Sequence, residues 1–107
     1  MVASTVLELS GFDVLGNGVD GVDLLSTVAE PVRWAVLRRL ASGEACVCEL
    51  LELVPVAGNL LSYHLRVLRE AGLVTATRRG RWMDYQLAPG AHARLVAALP
   101  TDTAAVP

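Results

Sequence analysis

The stretch Asn59-Leu60-Leu61-Ser62-Tyr63-His64-Leu65-Arg66-Val67-Leu68-Arg69-Glu70-Ala71-Gly72-Leu73 reads as one helix with two working faces. Leu61, Leu65, Leu68 and Ala71 recur at helical spacing and form an apolar stripe that needs a core. Asn59, Ser62, Tyr63, Arg66 and Arg69 lie mostly off that stripe and offer hydrogen-bonding groups, a ring and positive charge. Gly72 follows the last periodic residue, where a left-handed C-cap suits glycine. An apolar-backed helix with Asn, Ser, Tyr and Arg outward meets the needs of a DNA major-groove reader. An ordinary amphipathic surface helix has the same periodicity, so the neighbouring segments must decide.

Upstream, Glu30-Pro31 is a break, because the residue before proline is pushed out of helical geometry and proline suits a first helical turn. A short helix is expected before it, from Asp23 to Ala29, and a second from Pro31 to about Leu40, with Val32, Ala35, Val36 and Leu40 inward. Ala45 to Leu53 reads as a third, carrying Val47, Leu50, Leu51 and Val54 into the core. Pro55-Val56-Ala57-Gly58 is then a tight connection into the 59–73 helix, which makes a helix-turn-helix. Downstream, Leu73–Thr77 is β-branched, Arg79-Gly80 is a turn signal, and Trp82–Leu87 alternates apolar with polar. A β-hairpin with Arg78, Arg79 and Arg81 at its tip is the wing of a winged helix, able to lie along a phosphate backbone or enter a minor groove. Trp82 and Tyr85 are expected to pack the wing against the body. Ala91 to Leu99 forms a last helix whose Leu95, Val96 and Leu99 need cover. The fold class is therefore mainly α with a small β-hairpin: residues 1–22 an arm broken by Gly11, Gly16, Gly18 and Gly21, 23–99 the winged helix-turn-helix, and 100–107 a disordered tail.

Composition sets the bounds. At 107 residues and 53% hydrophobic, the chain is one domain with enough apolar surface to bury a face against a second copy. No apolar run reaches bilayer length and no secretory signal is read at the N-terminus, so a cytoplasmic setting without a membrane partner is expected. The net charge of −2 hides an asymmetry: residues 1–56 hold eight acids and three arginines, residues 57–107 six arginines and three acids. Local field, not net charge, governs polyanion binding, and the basic half contains the candidate reading helix. All nine basic residues are Arg, whose planar fork suits phosphate and guanine edges, although a biased codon usage gives the same skew. No nucleophile–base pair or phosphate loop is present, so an enzyme is not expected. Cys46 and Cys48 are the sole cysteines. A bridge between them would close almost no loop, so a soft-metal or reactive-thiol pair is expected in place of a structural disulfide.

With these elements in place, residues 24–99 resemble the ArsR/SmtB family of metal-responsive winged-helix repressors. The resemblance is carried by Ala29-Glu30-Pro31-Val32-Arg33, Gly43-Glu44-Ala45-Cys46-Val47-Cys48-Glu49-Leu50, Leu61–Val74, and Gly80-Arg81-Trp82 with Tyr85. It implies a homodimer formed by the first and last helices on an inverted-repeat DNA operator, one reading helix per half-site. It implies too that metal binding weakens DNA binding. In arsenic-responsive members the Cys-Val-Cys pair supplies thiolates to As(III) or Sb(III), so the arsenic-responsive type is the most similar; a soft divalent ion is the other effector considered, and none is needed for folding. His64 stands where the family has its helix histidine, and a structural role is favoured for it.

The spacing has a mechanical consequence. Residues two apart on a helix lie roughly 200° around its axis, so both sulfurs can hold one ion only if Cys46 lies outside the first regular turn or that turn unwinds. The family's third cysteine position is Leu51 here, leaving an exogenous thiol or hydroxide, or a carboxylate such as Glu49 or Glu52, as third ligand, or no metal at all. The zinc-type site on the last helix is not expected, since His92 has no matching partner. A thiol-redox or Ni/Zn-responsive regulator, and a protein-interaction winged helix, are the alternatives.

Overall fold

A computed structural model of the chain describes residues 14–100, with side chains from residue 21 onward. The N-terminal arm before Val14 and the tail after Pro100 fall outside the described residues. Among the described residues, five helices and three strands follow in the order α1 (Val14–Val28), α2 (Pro31–Leu40), β1 (Ala45–Cys46), α3 (Val47–Leu53), α4 (Gly58–Glu70), β2 (Val74–Arg79), β3 (Trp82–Leu87) and α5 (Ala91–Ala98). This is the expected winged helix-turn-helix with two local departures.

First, α1 runs from Val14 through Gly16, Gly18 and Gly21, where a short helix from Asp23 was expected. Each helical glycine costs about 1 kcal/mol relative to alanine, and close packing can offset that. A Cβ on Gly21 would stand 3.4 Å from the Ala98 carbonyl oxygen, so the glycine lets α1 and α5 approach each other closely. Second, Ala45 and Cys46 do not open the third helix but form a two-residue strand. Cys46 is instead the N-cap of α3, with extended backbone at φ −78°, ψ 163°.

Ser26–Ala91 forms one compact unit; α1 up to Leu25 and α5 from His92 belong to a second. The larger unit carries the core: Val28, Val36, Leu37, Leu40, Ala45, Leu50, Val54, Leu61, Leu65, Leu68, Leu73, Val74, Tyr85 and Ala91 are buried. The α4 stripe supplies three of these, Leu61, Leu65 and Leu68, as its spacing predicts. Leu51, expected inside, is exposed on the outer side of α3.

Local signals explain the helix boundaries. Glu30 caps α2 by accepting the Arg33 N–H at 2.8 Å, with Pro31 in the first turn. At the end of α4, Gly72 takes φ 76°. The Leu73 N–H then reaches the Leu68 carbonyl at 3.0 Å and the Gly72 N–H the Arg69 carbonyl at 2.9 Å, a Schellman closure. Leu73 and Leu68, at the positions of that motif's apolar pair, are both buried.

The sheet is antiparallel in the order β1-β3-β2. Gly80, at φ 63°, opens the two-residue turn that sets Arg79 opposite Trp82 and Thr77 opposite Asp84. On the other edge of β3, Ala45 faces Tyr85 and Cys46 faces Asp84. The wing is thereby hydrogen-bonded to the segment that carries the cysteines.

Candidate nucleic-acid interface and cysteine site

On α4, Asn59, Ser62, Tyr63 and Arg66 stand at i, i+3, i+4 and i+7, one helical face, and all four are exposed. The Arg66 guanidinium carbon sits 5.6 Å from the Tyr63 ring centroid, a cation–π contact that steadies both side chains on the outer surface. The inner face is held by Leu61, Leu65 and Leu68, so the outer residues are presented from a packed base.

His64 belongs to that base. It is buried, and its Nδ1 lies 2.9 Å from Arg33 Nη1. A guanidinium offers only donors, so Nδ1 accepts and the ring proton of the neutral form is placed on Nε2. Arg33 also donates through Nε to the Thr27 carbonyl at 2.6 Å. The arginine thus ties the α1–α2 turn to α4, a role that periodicity does not reveal.

The wing arginines are not equivalent. Arg81 is exposed, and Arg78 donates to the Gly80 carbonyl at 3.2 Å. Arg79 is engaged with Asp84 through both carboxylate oxygens, Nε to Oδ2 at 2.6 Å and Nη2 to Oδ1 at 3.1 Å. Hydrogen bonding from Arg79 holds the Asp84 carboxyl below the usual carboxylate range, against the opposing effect of burial. The same bond and the charge of Asp84 raise the Arg79 pKa, with Glu44 and Glu49 adding to the effect. Sequence reading missed Asp84. The signal was present: a two-residue turn at Gly80 places Asp84 diagonally across from Arg79. Trp82 departs from expectation in the other direction. It faces Arg79 at the end of the hairpin and is 47% exposed, while Tyr85 alone packs inward.

Cys46 and Cys48 meet. Because Cys46 lies in the extended N-cap and Cys48 in the first turn of α3, their Cα atoms are 5.3 Å apart and the sulfurs form a disulfide. The expectation that Cys46 must leave the regular turn holds; the expectation of two free thiols does not. Among the described residues, no three His, Cys, Asp or Glu side chains gather as a metal-ligand set. Glu49, named as a candidate third ligand, is already occupied. Its Oε1 accepts the Cys46 N–H at 2.9 Å, the Glu49 N–H reaches back to Cys46 Sγ at 3.4 Å, and its Oε2 lies 3.7 Å from Arg39 Nη2. Once reduced, the pair fits a two-sulfur chelate completed from solution, and does not fit a three-sulfur site.

Residues 30–76 match the model of the bacterial regulatory protein, arsR family. A putative arsenical resistance operon repressor from Halobacterium salinarum is 37% identical over 101 residues, covering 90% of this chain and 78% of that protein. The transcriptional repressor SmtB from Mycobacterium tuberculosis is 40% identical over 74 residues; the match covers 69% of this chain but only 55% of SmtB. Among solved structures, a possible transcriptional regulator for arsenical resistance superposes with a TM-score of 0.66 at 44% identity, over 70% of this chain and 78% of that one.

Proposed function

From the premise that this chain belongs to the arsR family of DNA-binding transcriptional repressors and is not an enzyme, we propose that it is a metalloid-responsive regulator acting through Cys46 and Cys48. Asn59, Ser62, Tyr63 and Arg66 read base edges in a major groove, and Arg78, Arg79 and Arg81 hold the flanking phosphates. A homodimer built on α1 and α5 presents two reading helices to an inverted repeat.

The observation that carries the effector reading is the meeting of the two sulfurs at the N-cap of α3. Thiolates favour As(III), Sb(III) and soft divalent ions. An external dithiol must first reduce the bridge by exchange, itself closing to a disulfide and leaving two thiols on the protein. Ligation of arsenous acid then replaces two hydroxides by two sulfurs, the thiol protons leaving with the hydroxides as water. Cys46 is paired to the wing strand, and Cys48 lies in the helix that leads into α4. Any change in the distance between the sulfurs therefore pulls on both DNA-contacting elements.

A second reading has its own observation. The pair is joined as a disulfide, so its oxidation by a peroxide, which takes up the two electrons and two thiol protons and leaves as water, can by itself be the signal. A bridge spanning one intervening residue gains little from loop closure, which suits a switch better than a brace.

Titration of phosphine-reduced protein with arsenite, followed by sulfur–metalloid absorbance and by release of an operator duplex, separates the readings. Metalloid sensing requires an absorbance step that Cys48→Ser abolishes, together with DNA release. Release on oxidation with no effect of arsenite favours the redox reading. A protein-interaction module would show no salt-dependent affinity for any duplex, since phosphate contacts by arginine impose a steep salt slope.

A further inference from the structure

Three groups with separate roles above share one face of the sheet. Directly opposed residues project to the same side, so Cys46, Asp84 and Thr77 lie in a row across β1, β3 and β2. Arg79, two residues beyond Thr77, projects to that side as well. Asp84 is the centre of the row and is buried, facing Cys46 along one edge of its strand and bonded to Arg79 toward the other. Glu49, which caps the cysteine segment, contributes to the field felt by Arg79.

The bond to Asp84 does not exhaust Arg79. A guanidinium carries five N–H donors, and the two hydrogen bonds to Asp84 leave three for another anion. The arginine side chain is 67% exposed while that of Asp84 is 9% exposed. The carboxylate therefore grips one edge of the fork from within the sheet and leaves the opposite edge to solvent. A flexible wing arginine becomes a preorganised phosphate donor, its direction set by where β3 holds Asp84.

We propose that Asp84 is the positioning residue through which the cysteine pair acts on DNA: it aims Arg79 at a backbone phosphate, and a change of state at Cys46 shifts that aim across the β1–β3 ladder. The inference rests on the reading of Cys46 and Cys48 as the effector site. It adds a route to the wing, separate from the route through α3 to the reading helix.

The test compares wild type, Asp84→Asn, Asp84→Glu and Arg79→Lys on a labelled operator duplex. Each is measured reduced, reduced with arsenite, and oxidised, and sulfur–metalloid absorbance is recorded on the same samples. Arg79→Lys keeps the charge but lacks the fork, and it retains Asp84, so it carries the test if Asp84→Asn does not fold. Expected for Asp84→Asn and Arg79→Lys is an unchanged absorbance step. Operator affinity of the reduced protein should fall by about tenfold, the equivalent of one charge-assisted contact. The response to arsenite or oxidation should shrink well below the wild-type factor, with partial recovery in Asp84→Glu. Ser62→Ala is the control that lowers affinity while leaving the response factor intact. If folded Asp84→Asn or Arg79→Lys responds by the full wild-type factor, Asp84 is not the joint, although the effector reading stands. If wild type lacks the absorbance step, the metalloid reading alone fails and the oxidised-against-reduced comparison decides the inference. If neither arsenite nor oxidation moves wild-type affinity, both fall.

Discussion

At the residue scale, Asp84 shows how one buried charge is tolerated. Its two oxygens are both occupied by Arg79, and that pairing, not exposure, keeps it ionised. The sign of the resulting pH dependence follows from the direction of its shift. The folded-state pKa lies below the unfolded one, so the stabilisation is complete above the usual carboxylate range and is lost as pH falls through the folded value. Urea unfolding of wild type and Asp84→Asn across acid pH should therefore show a stability gap that is constant near neutrality and narrows below the usual carboxylate range. A gap that widens on acidification contradicts the pairing. His64 is a buried polar ring satisfied by a donor from another helix, Arg33, and its edge packs against the Tyr63 ring.

At the element scale, α4 divides its labour by face. Leu65 is buried in the core of the larger unit, and Leu65→Ala should cost roughly 2–5 kcal/mol of unfolding free energy by creating a cavity, read from denaturant midpoints. The outer face should behave differently, with little change in stability and a large change in recognition. Arg66→Ala is expected to relax discrimination between operator variants by about 1–3 kcal/mol at one position. Arg81→Ala at the wing tip should weaken every sequence alike and reduce the salt slope by about one unit. Competition binding against single-base variants at two salt concentrations distinguishes these patterns. Equal losses on all variants for Arg66→Ala would remove it from the base-reading set. The short strand β1 matters out of proportion to its length, because it is the hydrogen-bonded link between the cysteines and the wing.

At the scale of the whole molecule, α5 exposes Val96, with Leu99 just beyond its end, at 53% and 51%. Apolar surface of that kind on a small chain calls for a partner, and the two-fold operator proposed above calls for a second copy. Val96→Asp together with Leu99→Asp should shift sedimentation from the proposed dimer toward monomer and lower operator affinity steeply, while the larger unit keeps its melting transition. Retention of the dimer would move the interface elsewhere. Gly21, which allows α1 to approach α5 near Ala98, is part of the same unit. The chain's acidic average is no obstacle to DNA binding, because its arginines are concentrated in the half that contains α4 and the wing.

Periodicity and punctuation alone determined most of the element plan. The 3.6-residue stripe of Leu61, Leu65 and Leu68, the stop at Gly72, the break at Glu30-Pro31 and the turn at Gly80 are local signals, and each appears where the sequence places it. The residues of the outer face of α4 were legible for the same reason: once a helix is phased, its exposed side is known. What depended on contacts between distant segments was not legible. Gly21 is tolerated in α1 because α5 approaches it closely at Ala98, and Ala45-Cys46 becomes a strand because β3 offers an unpaired edge. That pairing draws Cys46 out of the helix, brings its sulfur to Cys48 and sets it beside Asp84. Sequence spacing stated the condition for the cysteines to act together, and only the tertiary hydrogen-bond ladder met it.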